Sequence, residues 1–254
     1  MTSSDQPRHV LVTGAARGIG RAVAAAFAAR GDRVSVLTRS EGSGRETVEA
    51  IGAAGFVVAD VTDAEALRAA LALAAGERGP IEILVNNAGG AETAPLSKIS
   101  TAQLDTMMAL NLHPVLVAMQ AVVPSMIAAG TGRIVTIAST AGLKGYAYAS
   151  AYAAAKHAVV GLTRSLALEL ATTGVTVNAV CPGYTDTDLV AGSIAALKRR
   201  TGRDEADLTT EFTRHNPQGR LVSPQEVADC VLWLSGPGAS AITGQAIAVA
   251  GGEI

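Results

Sequence analysis

Short runs rich in β-branched residues alternate with longer stretches rich in alanine and leucine along almost the whole chain. This alternation constrains the fold most, because it is the pattern of repeated βαβ units, which build parallel sheets. The predicted strands span residues 9–13, 33–38, 55–59, 81–86, 132–138, 175–181 and 245–249. The predicted helices span residues 17–30, 64–78, 101–129, 151–173 and 224–234. The sequence therefore predicts an α/β protein with a doubly wound, seven-stranded parallel sheet and helices on both faces.

Composition narrows the class of protein. Of the 254 residues, 49% are hydrophobic and 17% are charged, which argues against disorder and suits one domain spanning residues 1–254. The formal net charge of −2 gives no reason to expect nucleic acid or an anionic membrane as a partner. We identify no uninterrupted apolar run long enough to cross a bilayer, and the first eight residues lack the apolar core of a signal peptide. We therefore expect a cytoplasmic protein, and we predict no metal site.

Two segments depart from the regular pattern. The helix predicted over residues 101–129 contains Pro114, so a bend or break is expected near Asn111. Residues 183–220 lack a regular pattern and follow the sixth strand, at the edge where open α/β sheets bind ligands. We interpret this segment as a substrate lid.

A glycine-rich turn follows the first predicted strand and opens the first helix. Gly14, Gly18 and Gly20 permit a tight turn and a close approach of the backbone to a pyrophosphate at the helix N-terminus. Ile19 lies in the same turn and is included in the predicted site. The spacing differs from the standard Gly-x-Gly-x-x-Gly fingerprint, but the position between a strand and a helix predicts a dinucleotide site.

The end of the second strand predicts which dinucleotide binds. Enzymes that use NAD usually place an acidic residue there to hold the ribose hydroxyls. In this chain residues 37–40, at the end of the strand, contain no acid, and the next acid is Glu41. Arg39 can pair with a 2′-phosphate, Thr38 can donate a hydrogen bond to it, and Arg17 adds a second cation. We therefore predict NADP(H) rather than NAD(H). The adenosine half of the cofactor is expected to contact Asp60, Val61, Asn87, Ala88 and Gly89.

Tyr152 and Lys156 are candidate catalytic residues. Residues four apart share one face of a helix, so the Lys156 ammonium is expected beside the Tyr152 phenol. A nearby cation favours the phenolate and lowers a tyrosine pKa that is otherwise about 10. Such a phenol can exchange a proton with a ketone or an alcohol near neutral pH. Tyr146 and Tyr148 have no cation at the same spacing.

Taken together, these motifs resemble the single-domain branch of the short-chain dehydrogenase/reductase superfamily. The resemblance runs from Val10 to Gly252, and the glycine spacing found here is the one that this family uses. The six motifs that carry it are, in order, Thr13 to Gly20, Asn86 to Gly89, Asn111, Ser139, Tyr152 with Lys156, and Pro182 with Gly183. The resemblance implies a Rossmann fold and a catalytic tetrad of Asn111, Ser139, Tyr152 and Lys156.

The resemblance also implies a role for each matched residue. Ser139 and Tyr152 would hydrogen-bond the substrate carbonyl oxygen, and Tyr152 would supply the proton. Lys156 would lower the tyrosine pKa and hold the nicotinamide ribose. Asn111 would fix a water that links Lys156 to solvent, or relieve backbone groups freed by the helix bend, or do both. The nicotinamide amide would be oriented by Pro182, Gly183 and Thr187, with Thr185 as the second choice.

The substrate class is predicted from two further stretches. Residues 216–227 and 242–252 resemble 3-oxoacyl thioester reductases and polyketide ketoreductases. They imply NADPH-dependent reduction of a 3-oxoacyl thioester, carried by coenzyme A or a carrier protein, or of a polyketide-type ketone. The motif is shared with sugar and polyol dehydrogenases, so an NAD(P)-dependent sugar, polyol or cyclic alcohol dehydrogenase stays an alternative. A catalytically silent nucleotide-binding regulator is a more distant one.

Two expectations concern surfaces. The basic cluster at residues 198–200 and 203 either attracts phosphates of coenzyme A or of a carrier protein, or is a solvated helix end balanced by nearby acids. The family resemblance implies a homotetramer or a homodimer. The alanine-rich faces of residues 101–129 and 151–173 suit a helix-bundle interface between subunits.

Overall fold

A computed structural model of the protein describes residues 7–254. The prediction that no signal peptide is present falls mainly on residues 1–6, which lie outside the described part. Within residues 7–254, the strands are β1 (His9–Thr13), β2 (Arg33–Thr38), β3 (Gly55–Val58), β4 (Ile83–Asn86), β5 (Gly132–Ile137), β6 (Val175–Pro182) and β7 (Ala246–Val249). They pair in the order β3-β2-β1-β4-β5-β6-β7, and every pair is parallel. The predicted seven-stranded parallel sheet is confirmed.

Helices cover both faces of this sheet. In the same residues they are α1 (Gly18–Ala29), α2 (Glu41–Ile51), α3 (Ala64–Arg78), α4 (Thr101–Asn111), α5 (His113–Ala129), α6 (Ser150–Glu169), α7 (Asp188–Thr201), α8 (Glu205–Thr213) and α9 (Pro224–Leu234). Alternate strand residues enter two separate cores: Val10 and Val12 pack with α1 and α9, and Leu11 packs with α3, α5 and α6. Burial on both faces explains why the strands consist of continuous apolar runs.

Helix α2 was not predicted. Its sequence contains Gly42 and Gly44, which are poor helix formers and hide the helical pattern. The Ser40 side chain caps its N-terminus by accepting a hydrogen bond from the Ser43 backbone at 3.4 Å. A Cβ atom at Gly44 would lie 2.5 Å from the Phe56 ring, so the glycine lets α2 pack closely on β3. Tertiary packing therefore overrides the local propensity at this helix.

The predicted break near Asn111 is confirmed. Helix α4 ends at Asn111, Leu112 adopts φ −111° and ψ −51°, and α5 begins at His113. Pro114 has no N–H group to continue the hydrogen-bond ladder across this point. Taken as one stretch, Thr101–Ala129 carries an 18-residue window of mean hydropathy 1.6, which by length and composition alone is enough to cross a membrane and differs from the sequence prediction. Helix α5 instead packs along one side against α3 and the sheet.

Candidate active site

The parallel strands bring their carboxyl ends to one edge of the sheet. The glycine turn follows β1, Asn87 follows β4, Ser139 follows β5 and Gly183 follows β6. These four strands are neighbours in the sheet, so residues far apart in sequence meet at this edge. Ligands bind at the carboxyl ends of strands in open α/β sheets.

Asn87 ties the loop after β4 to the glycine turn. Its side-chain Nδ2 donates to the carbonyl oxygens of Thr13 at 2.9 Å and Gly14 at 3.0 Å. The Thr13 hydroxyl in turn accepts hydrogen bonds from the backbone of Asn87 at 2.9 Å and Ala88 at 3.0 Å. A Cβ atom at Gly20 would lie 2.3 Å from Asn87 Nδ2, so only glycine allows this bracing. The Asn87 Nδ2 group therefore stabilises the turn.

The two candidate threonines after β6 have different surroundings. Thr187 lies against the glycine turn, since its Cγ2 atom would be 3.3 Å from a Cβ atom at Gly18. Thr185 is 4% exposed, and its hydroxyl donates to the Gly183 carbonyl at 3.0 Å. Thr187 is thus the one placed beside the glycine turn.

The end of β2 has two exposed arginines nearby and a buried threonine. Arg17 and Arg39 are both exposed, and neither forms an ion pair with an acid among residues 7–254. Thr38 is 2% exposed, and its hydroxyl donates to the Ser40 carbonyl at 3.0 Å. This hydroxyl hydrogen is therefore committed to the loop. Ser40 was missed, although a serine before a helix that starts with Glu41 is a recognisable cap.

The remaining predicted adenosine contacts lie at the ends of β3 and β4. Asp60 accepts hydrogen bonds from the Thr62 backbone at 2.9 Å and hydroxyl at 2.7 Å. These bonds, aided by the Arg39 charge, lower the Asp60 pKa. Val61 is 7% exposed, so its contact with a ligand would be made mainly through the backbone.

Asn111 joins the helix break to the loop after β4. It is 1% exposed, its Nδ2 donates to the Gly90 and Met107 carbonyls at 3.0 Å, and its Oδ1 accepts from the Gly90 backbone at 3.3 Å. A Cβ atom at Gly89 would lie 2.7 Å from Asn111 Oδ1 and 3.7 Å from Lys156 Nζ. The Gly89 backbone thus lies between the Asn111 amide and the Lys156 ammonium, where a side chain would not fit.

Lys156 is buried under the site. The residue is 5% exposed, and its Nζ donates to the Ile137 carbonyl at 2.9 Å. The same Nζ atom lies 5.7 Å from the centre of the Tyr152 ring. Burial disfavours the charged form and lowers the Lys156 pKa from 10.5 to about 8.

The predicted acidic phenol is corrected by the structure. Burial raises the Tyr152 pKa, and the negative forms of Tyr184 and Cys181 raise it further, while only the Ser139 hydroxyl acts in the opposite direction. The helical spacing does place Lys156 beside Tyr152, but its cation faces the ring and the Ile137 carbonyl. Burial therefore sets the direction of the shift, and a phenol whose pKa is raised keeps its proton at neutral pH. A protonated phenol beside the Ser139 hydroxyl can donate to a carbonyl oxygen.

Tyr184 was missed by the sequence analysis. It directly follows the Pro182-Gly183 pair and lies close enough to Tyr152 to raise its pKa. The signal that could have identified it is its position as the first side chain after the sixth strand. Across residues 7–254, no three His, Cys, Asp or Glu side chains are grouped so that they could hold a metal ion.

A family model described as short chain dehydrogenase matches residues 8–197. The fold, the glycine turn and the Ser139, Tyr152 and Lys156 cluster agree with that match. The chain belongs to the short-chain dehydrogenase family, as the sequence motifs indicated.

Individual relatives of the chain have names that give a reaction. The chain is 39% identical over 250 residues to cis-4-hydroxycyclohexanecarboxylate dehydrogenase of Sinomonas cyclohexanicum, covering 96% of both proteins. It is 38% identical over 243 residues to the 3-oxoacyl-[acyl-carrier-protein] reductase FabG of Vibrio harveyi, covering 95% of both. A crystal structure of a variant actinorhodin polyketide ketoreductase with NADPH superposes with a TM-score of 0.92 and 37% identity, over 100% of this chain and 99% of that one. The predicted resemblance, reaction class and cofactor agree with these relatives.

Proposed function

We propose that the protein reduces a ketone with NADPH, and that its substrate is a 3-oxoacyl thioester or a polyketide-type ketone. The observation that carries this proposal is the protonated Tyr152 phenol beside Ser139 and the buried Lys156, at the strand edge that follows a dinucleotide-type glycine turn. Relatives that carry the names of a 3-oxoacyl reductase and a polyketide ketoreductase support the substrate class.

The mechanism uses the residues at the edge of the sheet. NADPH, when bound, supplies the hydride that reaches the carbonyl carbon. Ser139 and Tyr152 hydrogen-bond the carbonyl oxygen and stabilise its growing negative charge, and the Tyr152 proton moves to that oxygen to complete the alcohol. Lys156 then faces a phenolate, whose charge its ammonium stabilises. Asn111 positions the loop beside Lys156 through its bonds to Gly90.

The cofactor site follows the same edge. We propose that the diphosphate lies on the turn formed by Gly14, Gly18, Ile19 and Gly20, and that the adenosine contacts Asp60, Val61, Ala88 and Gly89. Arg17 and Arg39 have no acidic partner among the described residues and would pair with a 2′-phosphate. Asn87 and Thr38 contribute by holding the two loops, since their polar hydrogens are already committed. The nicotinamide amide would meet Pro182, Gly183 and Thr187, with Thr185 behind them.

Organisation of the molecule is proposed on the same basis. We propose one domain over residues 1–254 in which residues 183–220, including α7 and α8, form the substrate lid. Only 33% of the apolar window in Thr101–Ala129 is buried within one chain, which supports a second copy covering α4 and α5 in a homodimer or homotetramer. A cytoplasmic location fits an enzyme that uses NADPH and a thioester substrate.

The test is a substrate panel with purified protein. NADPH oxidation is followed with 3-oxobutanoyl coenzyme A, with sugars and with cyclic ketones, using wild type and Tyr152→Phe. We expect turnover on the thioester and a loss of roughly a hundredfold or more in Tyr152→Phe, because the proton donor is removed. No thioester turnover would reject the substrate class, and no turnover on any compound would favour a silent nucleotide-binding regulator.

A second candidate function is oxidation of a cyclic secondary alcohol. The relative from Sinomonas cyclohexanicum, whose name is that of a hydroxycyclohexanecarboxylate dehydrogenase, favours it. The same panel decides between the two, run forwards with NADPH and backwards with NADP and cyclohexanol derivatives. A cyclic alcohol oxidised with a larger kcat/KM than that for thioester reduction would favour the second candidate.

A further inference from the structure

The segment after β7 turns back into the protein. Gly251 and Gly252 adopt φ values of 61° and 93°, which reverse the chain before Glu253. A Cβ atom at Gly251 would lie 1.9 Å from the Asn216 side-chain oxygen, so a glycine is required for the segment to reach this position. The turn places the Glu253 side chain, 2% exposed, in the interior.

Buried Glu253 is held by two residues of the loop that follows Ser139. Lys144 Nζ lies 3.0 Å from Glu253 Oε1, and the Tyr146 hydroxyl donates a short hydrogen bond to the same oxygen. The Thr140 hydroxyl lies 2.6 Å from the Tyr146 oxygen. The series of hydrogen bonds from Glu253 through Tyr146 therefore ends one residue from Ser139. Within residues 7–254, Glu253 Oε2 has no hydrogen-bond partner. A buried carboxylate with one free oxygen depends strongly on the partners of the other.

The same carboxylate adjoins the segment after β6. Glu253 Oε2 would be 3.0 Å from a Cβ atom at Gly183. Burial raises the pKa of both Tyr146 and Tyr184, and the nearby Glu253 carboxylate raises both further. The Tyr146 and Tyr184 rings meet edge to face with centroids 6.1 Å apart, and Tyr184 meets Phe212 of α8 at 4.9 Å. The Glu253 carboxylate thus adjoins both loops beside the reacting groups, and Tyr184 connects the second of these loops to α8.

We propose that Glu253 is a positioning residue for the ketone: through Lys144 and Tyr146 it fixes the loop after Ser139 and the Tyr146–Tyr184 wall against which the substrate binds. This inference rests on the proposed ketone reduction. Within residues 7–254, the hydrogen bond and the ion pair of the Glu253 side chain reach the loop after Ser139 and not the glycine turn. We therefore expect its main effect on the ketone rather than on the affinity for NADPH. A loop displaced by even a fraction of an ångström would misplace the Ser139 hydroxyl relative to Tyr152.

The test compares wild type with Glu253→Gln, which keeps the shape and removes the charge. With 3-oxobutanoyl coenzyme A and cyclohexanone as probes, we expect kcat/KM for the ketone to fall roughly ten- to a hundredfold. The Kd for NADPH, measured by cofactor fluorescence, is expected to stay unchanged. Deuterium exchange is expected to accelerate in residues 140–149.

Partner variants separate positioning from general stability. Lys144→Met is expected to reproduce the loss, and Lys144→Arg to restore most of the activity, because it keeps the ion pair. Tyr146→Phe removes only the hydroxyl that bonds Glu253. It is used if Glu253→Gln does not fold, and the same loss of kcat/KM for the ketone is expected. Glu65→Gln, which breaks the exposed pair with Arg68 on α3, is the control and should change nothing.

Each outcome decides the proposal. Unchanged ketone kinetics and unchanged exchange in Glu253→Gln would overturn it, as would an equal loss of NADPH binding. If wild type reduced neither probe, the proposed function would fail with these substrates. Faster deuterium exchange confined to residues 140–149 in Glu253→Gln would then still support the role of Glu253 in fixing this loop. Unchanged deuterium exchange would reject that role.

Discussion

At the level of single residues, Lys156 combines a functional position with an unfavourable environment. It is buried, and its only hydrogen-bond partner in the described residues is the Ile137 carbonyl. A charge that is taken out of water without a counter-ion costs stability. The proposed catalytic role accounts for a lysine here, since an apolar side chain of the same length would suit the same position better.

We expect Lys156→Met to abolish turnover and to raise the free energy of unfolding at pH 7. Between pH 8 and 10.5 the unfolded chain still holds the lysine proton that the folded protein has released, so wild-type stability rises with pH across this window. Over the whole window, the free energy of unfolding of the wild type rises by up to about 3 kcal/mol. Urea unfolding of wild type and Lys156→Met at pH 7 and pH 10 measures the stability difference between them. An equal stability difference at both pH values would contradict the explanation.

Arg39 is expected to decide the choice of cofactor. Arg39→Ala should raise the Kd for NADPH roughly ten- to a hundredfold, because a hydrogen-bonded charge on the 2′-phosphate is lost. The Kd for NADH should change little. Titration of both cofactors by fluorescence measures this, with Arg45→Ala as the control, since Arg45 pairs with Glu41 on the exposed side of α2. An equal weakening of both cofactors would instead indicate a damaged loop.

At the level of elements, the glycine turn works because two loops approach each other closely. The space between Gly20 and Asn87 is fully used, and the Asn87 amide bonds join β1 to β4 at their carboxyl ends. Helix α1 then starts with its free N–H groups at this edge. The proposed diphosphate site is thus built from two strands and one helix.

Gly20→Ala is expected to push the Asn87 side chain out of place and to weaken NADPH binding by an order of magnitude or more, roughly the loss of two hydrogen bonds. Gly76→Ala is the matched control, because Gly76 lies on an exposed part of α3 with nothing within 4 Å of its missing Cβ atom. That control should raise stability by up to about 1 kcal/mol and leave binding unchanged. Thermal unfolding and NADPH titration measure both. Wild-type binding in Gly20→Ala would show that the close approach is unimportant.

At the level of the whole molecule, one chain leaves apolar helix surface uncovered. Leu168 of α6 is 81% exposed, and Leu116 and Ile127 of α5 are 37% and 44% exposed. These residues lie on the helices where the sequence predicted a subunit interface. A second copy of the chain would remove them from water.

Leu168→Lys is therefore expected to shift the protein to a smaller assembly at micromolar concentration. Burying one leucine contributes about 1.5–3 kcal/mol, and an interface with twofold symmetry contains each substitution twice. Light scattering measures the mass. Leu73→Lys is the control, because Leu73 is 54% exposed on α3, away from the proposed interface. A monomeric wild type, or an unchanged assembly in Leu168→Lys, would reject this interface.

The sequence by itself determined the strand order along the chain, the helix break at Asn111, the family and the reaction class. These features depend on local signals: apolar runs, glycine and proline positions, and the fixed spacing of Tyr152 and Lys156. Local sequence patterns predict these features because burial repeats every two residues along a strand and about every 3.6 residues along a helix.

Only the tertiary structure decided the electrostatics and the contacts between distant segments. The raised Tyr152 pKa depends on burial by neighbours that spacing does not reveal, and so the predicted acidic phenol was wrong. Helix α2 depends on the packing of Gly44 on Phe56, and the commitment of the Thr38 hydroxyl depends on the conformation of the β2–α2 loop. The Glu253 carboxylate meets Tyr146 across 107 residues of chain. A pKa or a hydrogen bond is set by what surrounds a group in space, which local patterns do not record.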